Sequence, residues 1–122
     1  MSKFKRFEDK TVGNVIVLTF VDKKILDEDL IAEIGEDLRK VSEEGMEGMM
    51  VVLNFERITY LSSDLINRFI VLEAQIARKH GRLCLYCTRP ENMEVFVCSK
   101  TKGLFIFRDT LEQAIAFVQT GV

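Results

Sequence analysis

With 122 residues, 48% of them hydrophobic and 30% charged, the chain has the size and composition of one globular domain and too much apolar content for a disordered one. Its 17 Lys and Arg against 19 Asp and Glu leave a formal net charge of −2, which gives no long-range attraction for nucleic-acid phosphates. No stretch approaches the roughly 20 apolar residues that cross a bilayer; the opening Met-Ser-Lys-Phe-Lys-Arg-Phe-Glu-Asp lacks an apolar signal region, and Cys84, Cys87 and Cys98 are an odd number for a disulfide framework, so a reduced cytoplasmic protein is expected.

A first extended segment is predicted over Phe4 to Phe7, joined through a turn at Gly13-Asn14 to a β-branched strand, Val15 to Phe20. Leu26, Leu30, Ile31, Ile34, Leu38 and Val41 then recur at three- and four-residue steps and predict a helix. Asp27 or Asp29 favours its start, and Gly45 closes it in a left-handed conformation. Met49 to Phe55 is short and almost wholly apolar, the pattern of a central strand buried on both faces. Leu65, Ile66, Phe69, Ile70, Leu72 and Ile76 mark a second helix ending near His80-Gly81. Arg82 to Cys87 reads as a strand, Arg89-Pro90 opens a helix to about Cys98, Leu104 to Phe107 is a brief strand, and Thr110 to Val118 is a last helix capped by Asp109 or Thr110. This alternation predicts a single-domain α/β fold: a mostly parallel mixed sheet with an antiparallel N-terminal edge and about four helices.

Little in the sequence supports chemistry. Cys84 and Cys87 spell CxxC, but residues three apart on a strand point to opposite faces, and no second ligand pair completes a tetrahedral metal site. The one histidine, His80, falls at a helix end where a cation meets the dipole favourably, so it reads as a C-terminal cap and not a base. Gly45 and Gly48 are followed by a strand and not by GK[ST], so they form a turn and not a phosphate loop. Arg57, Lys79, Arg82, Arg89, Lys100 and Lys102 are scattered, as on a solvated surface. The residues thus offer no catalytic group, no cofactor site and no metal site.

One stretch stands apart: Tyr60-Leu61-Ser62-Ser63-Asp64-Leu65-Ile66 puts two hydroxyls and an acid between a buried strand and a helix. That is the carboxyl-end side of the sheet, where open α/β folds bind ligands and partners. Either serine can cap the helix; a phosphate attached there would equally meet the positive end of the helix dipole.

The element order, this serine stretch, Gly81-Arg82-Leu83-Cys84-Leu85, Arg89-Pro90-Glu91-Asn92-Met93-Glu94-Val95-Phe96 and Lys102-Gly103-Leu104-Phe105 resemble the STAS family over nearly the whole chain. That family comprises anti-sigma factor antagonists and cytoplasmic domains of sulfate transporters. Its junction typically reads Asp-Ser-Ser/Thr-Gly-Leu, with the first serine phosphorylated by a partner kinase that is also the anti-sigma factor. On this chain Ser62 takes the aspartate position, Ser63 the phosphorylated serine, Asp64 the next hydroxyl, Leu65 the glycine and Ile66 the leucine. The resemblance implies a non-enzymatic anti-sigma factor antagonist that binds a serine kinase-type anti-sigma factor, with Ser63 as phosphorylation site and Tyr60, Ser62, Asp64, Asn67 and Arg68 as contact surface. The alternative is a small-ligand sensor holding a nucleotide or anion at the same helix mouth; a hydrolase would need a convergent base, and a transporter-attached domain would need membrane segments.

Overall fold

The computed structural model describes residues 3–122; Met1 and Ser2 of the opening stretch lie outside the described residues. Five strands form one mixed sheet in the order β1-β2-β4-β6-β7: β1 (Phe7–Val12), β2 (Val15–Phe20), β4 (Met50–Asn54), β6 (Arg82–Tyr86) and β7 (Phe107–Arg108). Only the β1–β2 hairpin is antiparallel, with Val12 opposite Val15 across a turn where Gly13 takes φ +61°. The other pairs are parallel, Val17 beside Val52 and Val52 beside Cys84. Two further short strands, β3 (Lys24–Ile25) and β5 (Tyr60–Leu61), form a separate parallel pair. Four helices, α1 (Glu28–Glu44), α2 (Ser63–Arg78), α3 (Pro90–Cys98) and α4 (Leu111–Thr120), complete the fold.

Parallel neighbours stepping outward in one direction place their crossover helices on the same face. Accordingly, Ile34 and Leu38 of α1, Phe69 and Leu72 of α2 and Phe96 of α3 share one buried cluster with Leu18, Leu53 and Leu85. The other face belongs to α4, whose Ala114 and Val118 pack on Val15, Val17, Val52 and Cys84. Strand alternation divides β4 between the two clusters, and buried flanks on both faces explain its unbroken apolar run.

Several boundaries differ from those predicted. The edge strand starts at Phe7 and not Phe4, because the backbone N–H groups of Lys5 and Arg6 donate to the buried carboxylate of Asp37 on α1, at 3.2 and 2.7 Å. Leu26 lies outside α1 and is 54% exposed; the helix begins after Asp27, whose carboxylate accepts from the Asp29 N–H at 2.7 Å. Gly45 follows α1 in an extended conformation (φ −67°), and it is Gly48 that is left-handed. The free carbonyls at that helix end are met by Lys79, whose Nζ donates to Ser42 O and, at 2.7 Å, to Gly45 O. Lys79 is also the last cap of α2; His80 comes after it with φ +57° and turns its Nδ1 to the Glu47 carboxylate. Of the strand predicted over Leu104 to Phe107, Leu104 ends a 3₁₀ turn begun at Lys102 and Phe105 and Ile106 are irregular, leaving Phe107–Arg108 to pair with Leu85–Tyr86.

Cys84 and Cys87 are buried in the two separate clusters, on opposite faces of the sheet, and burial pushes both thiols up to about 11 from 9.0. An acid with a raised folded-state pKa stays protonated after its unfolded counterpart has ionised, so folding weakens as pH rises from about 9 to about 11 and levels off above. Each thiol contributes on the order of 1 kcal/mol per pH unit in that window. Urea unfolding at pH 8 and pH 10.5 checks this: a Cys84→Ala/Cys87→Ala variant, less stable at the lower pH, is expected to lose much less on going to the higher one. Equal losses in both proteins would refute it.

Candidate functional site at the β5–α2 junction

Beyond the end of β4 the chain is fixed at each step. The Asn54 side chain accepts from the Glu56 N–H at 2.9 Å, and Thr59 and Tyr60 N–H groups donate to Lys23 O at 2.7 and 3.1 Å. The Ser62 N–H donates to Ile25 O at 3.0 Å, so the β3–β5 pair carries the junction over the carboxyl ends of β2 and β4. From the other side, the buried Asn92 of α3 donates through Nδ2 to Ile58 O at 2.9 Å.

The two serines divide the tasks left open by the sequence. Ser62 is the cap of α2: its backbone is extended and its Oγ accepts from the Asp64 N–H at 3.2 Å. Ser63 is the first helical residue and is exposed, and its hydroxyl makes no hydrogen bond among the described residues. Asp64 places a carboxylate in the first turn, where it favours the helix dipole.

The contact residues expected from sequence are all solvent-accessible, but α2 separates them. Tyr60, 61% exposed, and Ser63 look toward α3, where a crevice of about 380 Å³ is lined by Ser63, Glu91, Glu94, Val95, Cys98 and Ser99. Asp64, Asn67 and Arg68 instead line a cavity of about 520 Å³ against Glu28 and Ile31 of α1. Farther along α1 the Arg68 side chain lies over Gly35, where a Cβ would come within 3.0 Å of it. Sequence reasoning did not single out Glu91, Glu94 and Val95 as site residues, although they follow Pro90 at the spacing of one helix face. Glu94 accepts from the Cys98 thiol at 3.2 Å, and this hydrogen bond and charge hold the thiol above its usual range.

Chemically the junction is acidic. A group on Ser63 would sit in a crevice whose charged lining residues are Glu91 and Glu94, with Asp64 adjacent in sequence. The lining carries no lysine or arginine to hold an anion.

The fold is that of solved STAS domain structures. The solved structures it resembles include an anti-sigma factor antagonist (STAS) domain protein from Planctomyces limnophilus, at 17% identity and TM-score 0.83, covering 93% of this chain and 98% of that one. They also include the anti-sigma factor antagonist SpoIIAA in its unphosphorylated form, at 21% identity and TM-score 0.73 over 95% and 97% of the two chains. A third, the Bacillus cell fate determinant SpoIIAA in its phosphorylated form, is 21% identical with TM-score 0.64 over 92% and 98%. No protein-family model matches the chain, and no curated protein sequence matches it.

Proposed function

We propose that this chain is a cytoplasmic regulatory domain of the anti-sigma factor antagonist type, which acts by binding a serine kinase-type anti-sigma factor or related signalling protein and is switched by phosphorylation of Ser63. The observation that carries the reading is the division of labour at the start of α2: Ser62 caps the helix, so the Ser63 hydroxyl is left exposed and unbonded at the helix mouth. The anti-sigma factor antagonists and phosphorylated SpoIIAA among the structures of like fold support it. So does the distance to the one histidine: His80 lies beyond the far end of α2, about 25 Å away at 1.5 Å per residue, out of reach of the Ser63 hydroxyl.

A phosphate on Ser63 brings about −1.5 to −2 charges and three acceptor oxygens. A partner that buries the junction must strip water from that group beside Asp64, Glu91 and Glu94, so modification weakens docking and releases the partner. Intact-mass analysis after incubation with an anti-sigma kinase and ATP is expected to show one added phosphate, retained in Ser62→Ala and lost in Ser63→Ala. No gain, or a gain that Ser63→Ala leaves undiminished, refutes the switch.

A further inference from the structure

We propose that the crevice between α3 and the β5–α2 junction is the seat of an arginine side chain presented by the partner protein. The inference rests on the reading of this chain as a binding module and adds the chemistry of what it grips. The 380 Å³ space beside Ser63 and a second of about 340 Å³ beside Tyr60 and Leu61 are both lined by Glu91, Glu94 and Val95. That wall is held in place. Glu91, Glu94, Val95 and Cys98 occupy one face of α3 at i, i+3, i+4 and i+7, while Phe96 and Asn92 are buried, Asn92 lining the second space and hydrogen-bonded to Ile58 O.

The charge on the wall is uncompensated. Elsewhere in the chain, Arg6 pairs with Glu33, Arg39 with Glu36 and Glu43, and Arg57 with Glu8. Glu91 and Glu94 make no ion pair among the described residues, and no cation lines either part of the crevice. The remaining lining is largely apolar or uncharged, with Val95, Leu61 and the ring of the largely exposed Tyr60. Two carboxylates lining a space with Val95, Leu61 and an exposed tyrosine match a guanidinium: it is planar, weakly hydrated, donates in a fork to carboxylates and stacks on aromatic faces, whereas an ammonium is a strongly hydrated point charge. An anion would be repelled here, and the chain's own net charge of −2 gives a second copy no electrostatic advantage as occupant. Because Ser63 lines the same space, a phosphate there would fill part of the seat, which ties this contact to the release described above.

The test uses the full, unmodified, ¹⁵N-labelled chain, titrated with acetyl-Leu-Arg-amide and with its citrulline counterpart, which keeps the shape and drops the charge. Saturable amide shifts confined to Tyr60, Leu61, Ser63, Glu91, Glu94 and Val95 are expected, with the citrulline peptide weaker by about fivefold, the gap between charged and neutral hydrogen bonds. The Glu91→Gln/Glu94→Gln variant, altered only at exposed positions, is expected to bind both peptides alike. Equal binding of the two peptides by the native chain, shifts centred elsewhere, or no saturable shift at millimolar peptide overturns the proposal. So does self-association by light scattering that the double variant abolishes, since the occupant is then a second copy. The Ser63 reading is decided by mass on a different residue, so either can fail while the other stands.

Discussion

Replacing Phe96 with alanine is expected to destabilise the protein by about 3–5 kcal/mol, a large share of the roughly 5–15 kcal/mol that holds a domain together. Phe96 is fully buried and meets four rings, with centroids at 6.1 Å for Phe55, 6.4 Å for Phe69, 5.6 Å for Phe105 and 5.0 Å for Phe107. Its removal empties the point where α3, the 3₁₀ turn and β7 converge, and rings fixed on three sides cannot collapse into the space. The helix has little else to stand on. It spans nine residues, has no side-chain N-cap, and buries only Asn92 and Phe96. An isolated helix of that length is not stable in water. Hydrogen exchange is therefore expected to quicken over residues 90–98 in Phe96→Ala more than over α2, and urea unfolding gives the global cost. Phe96→Leu, which refills most of the volume, is expected to lose less than half as much. A loss under about 1 kcal/mol for Phe96→Ala would mean that the aromatic cluster repacks and that α3 is held by something other than this ring.

Burial decides which parts of this fold can be read from the sequence. Val15–Phe20 and Met50–Asn54 announce themselves because packing on both faces demands apolar side chains at successive positions. The hairpin partner does not: four of the six residues of β1, Glu8 to Thr11, are exposed at the sheet edge, where charge is tolerated and the apolar signal vanishes. The predicted segment at Phe4 marks a real core contact, since Phe4 is buried, but its neighbours' N–H groups go to Asp37 and not to a strand. The two-residue strands β3 and β5 are set by tertiary position alone, and a run of two carries no period to detect.

At the site, residue types and helix position pointed to Ser62 and Ser63, but both can cap a helix, and only the backbone settled which one does. Tyr60, Asp64, Asn67 and Arg68 read as one surface in sequence because they are near one another in the chain. The helix between them directs Tyr60 and Ser63 to α3 and the other three to α1. Glu91 and Glu94 were invisible as site residues for the converse reason: they come from about 30 residues downstream, and only packing of α3 against the junction brings them to Ser63.

Gly81→Ala is expected to cost about 2–4 kcal/mol, whereas His80→Gly is expected to change stability by no more than about 1 kcal/mol. The sequence marks His80-Gly81 as the end of α2, and the structure gives the two residues different tasks. His80 has φ +57°, while among the described residues the glycines with positive φ are Gly13, Gly48 and Gly121. Gly81 is there for space: a Cβ would lie 2.3 Å from Met49 O and 2.9 Å from the Ile76 side chain. Met49 O is also the acceptor for the Arg82 N–H at 2.9 Å, the bond next to the Met50–Arg82 pairing at which β6 joins β4. Backbone cannot yield as a flexible side chain can, so an added methyl forces β6 away from β4 at the start of the central pair. At position 80 a glycine removes the strain of a left-handed histidine but gives up the contact with Glu47, and these effects offset. Thermal unfolding of the two variants checks this: a Gly81→Ala loss of no more than a few tenths of a kcal/mol would mean that the methyl is accommodated and that close approach to Met49 O does not fix the residue.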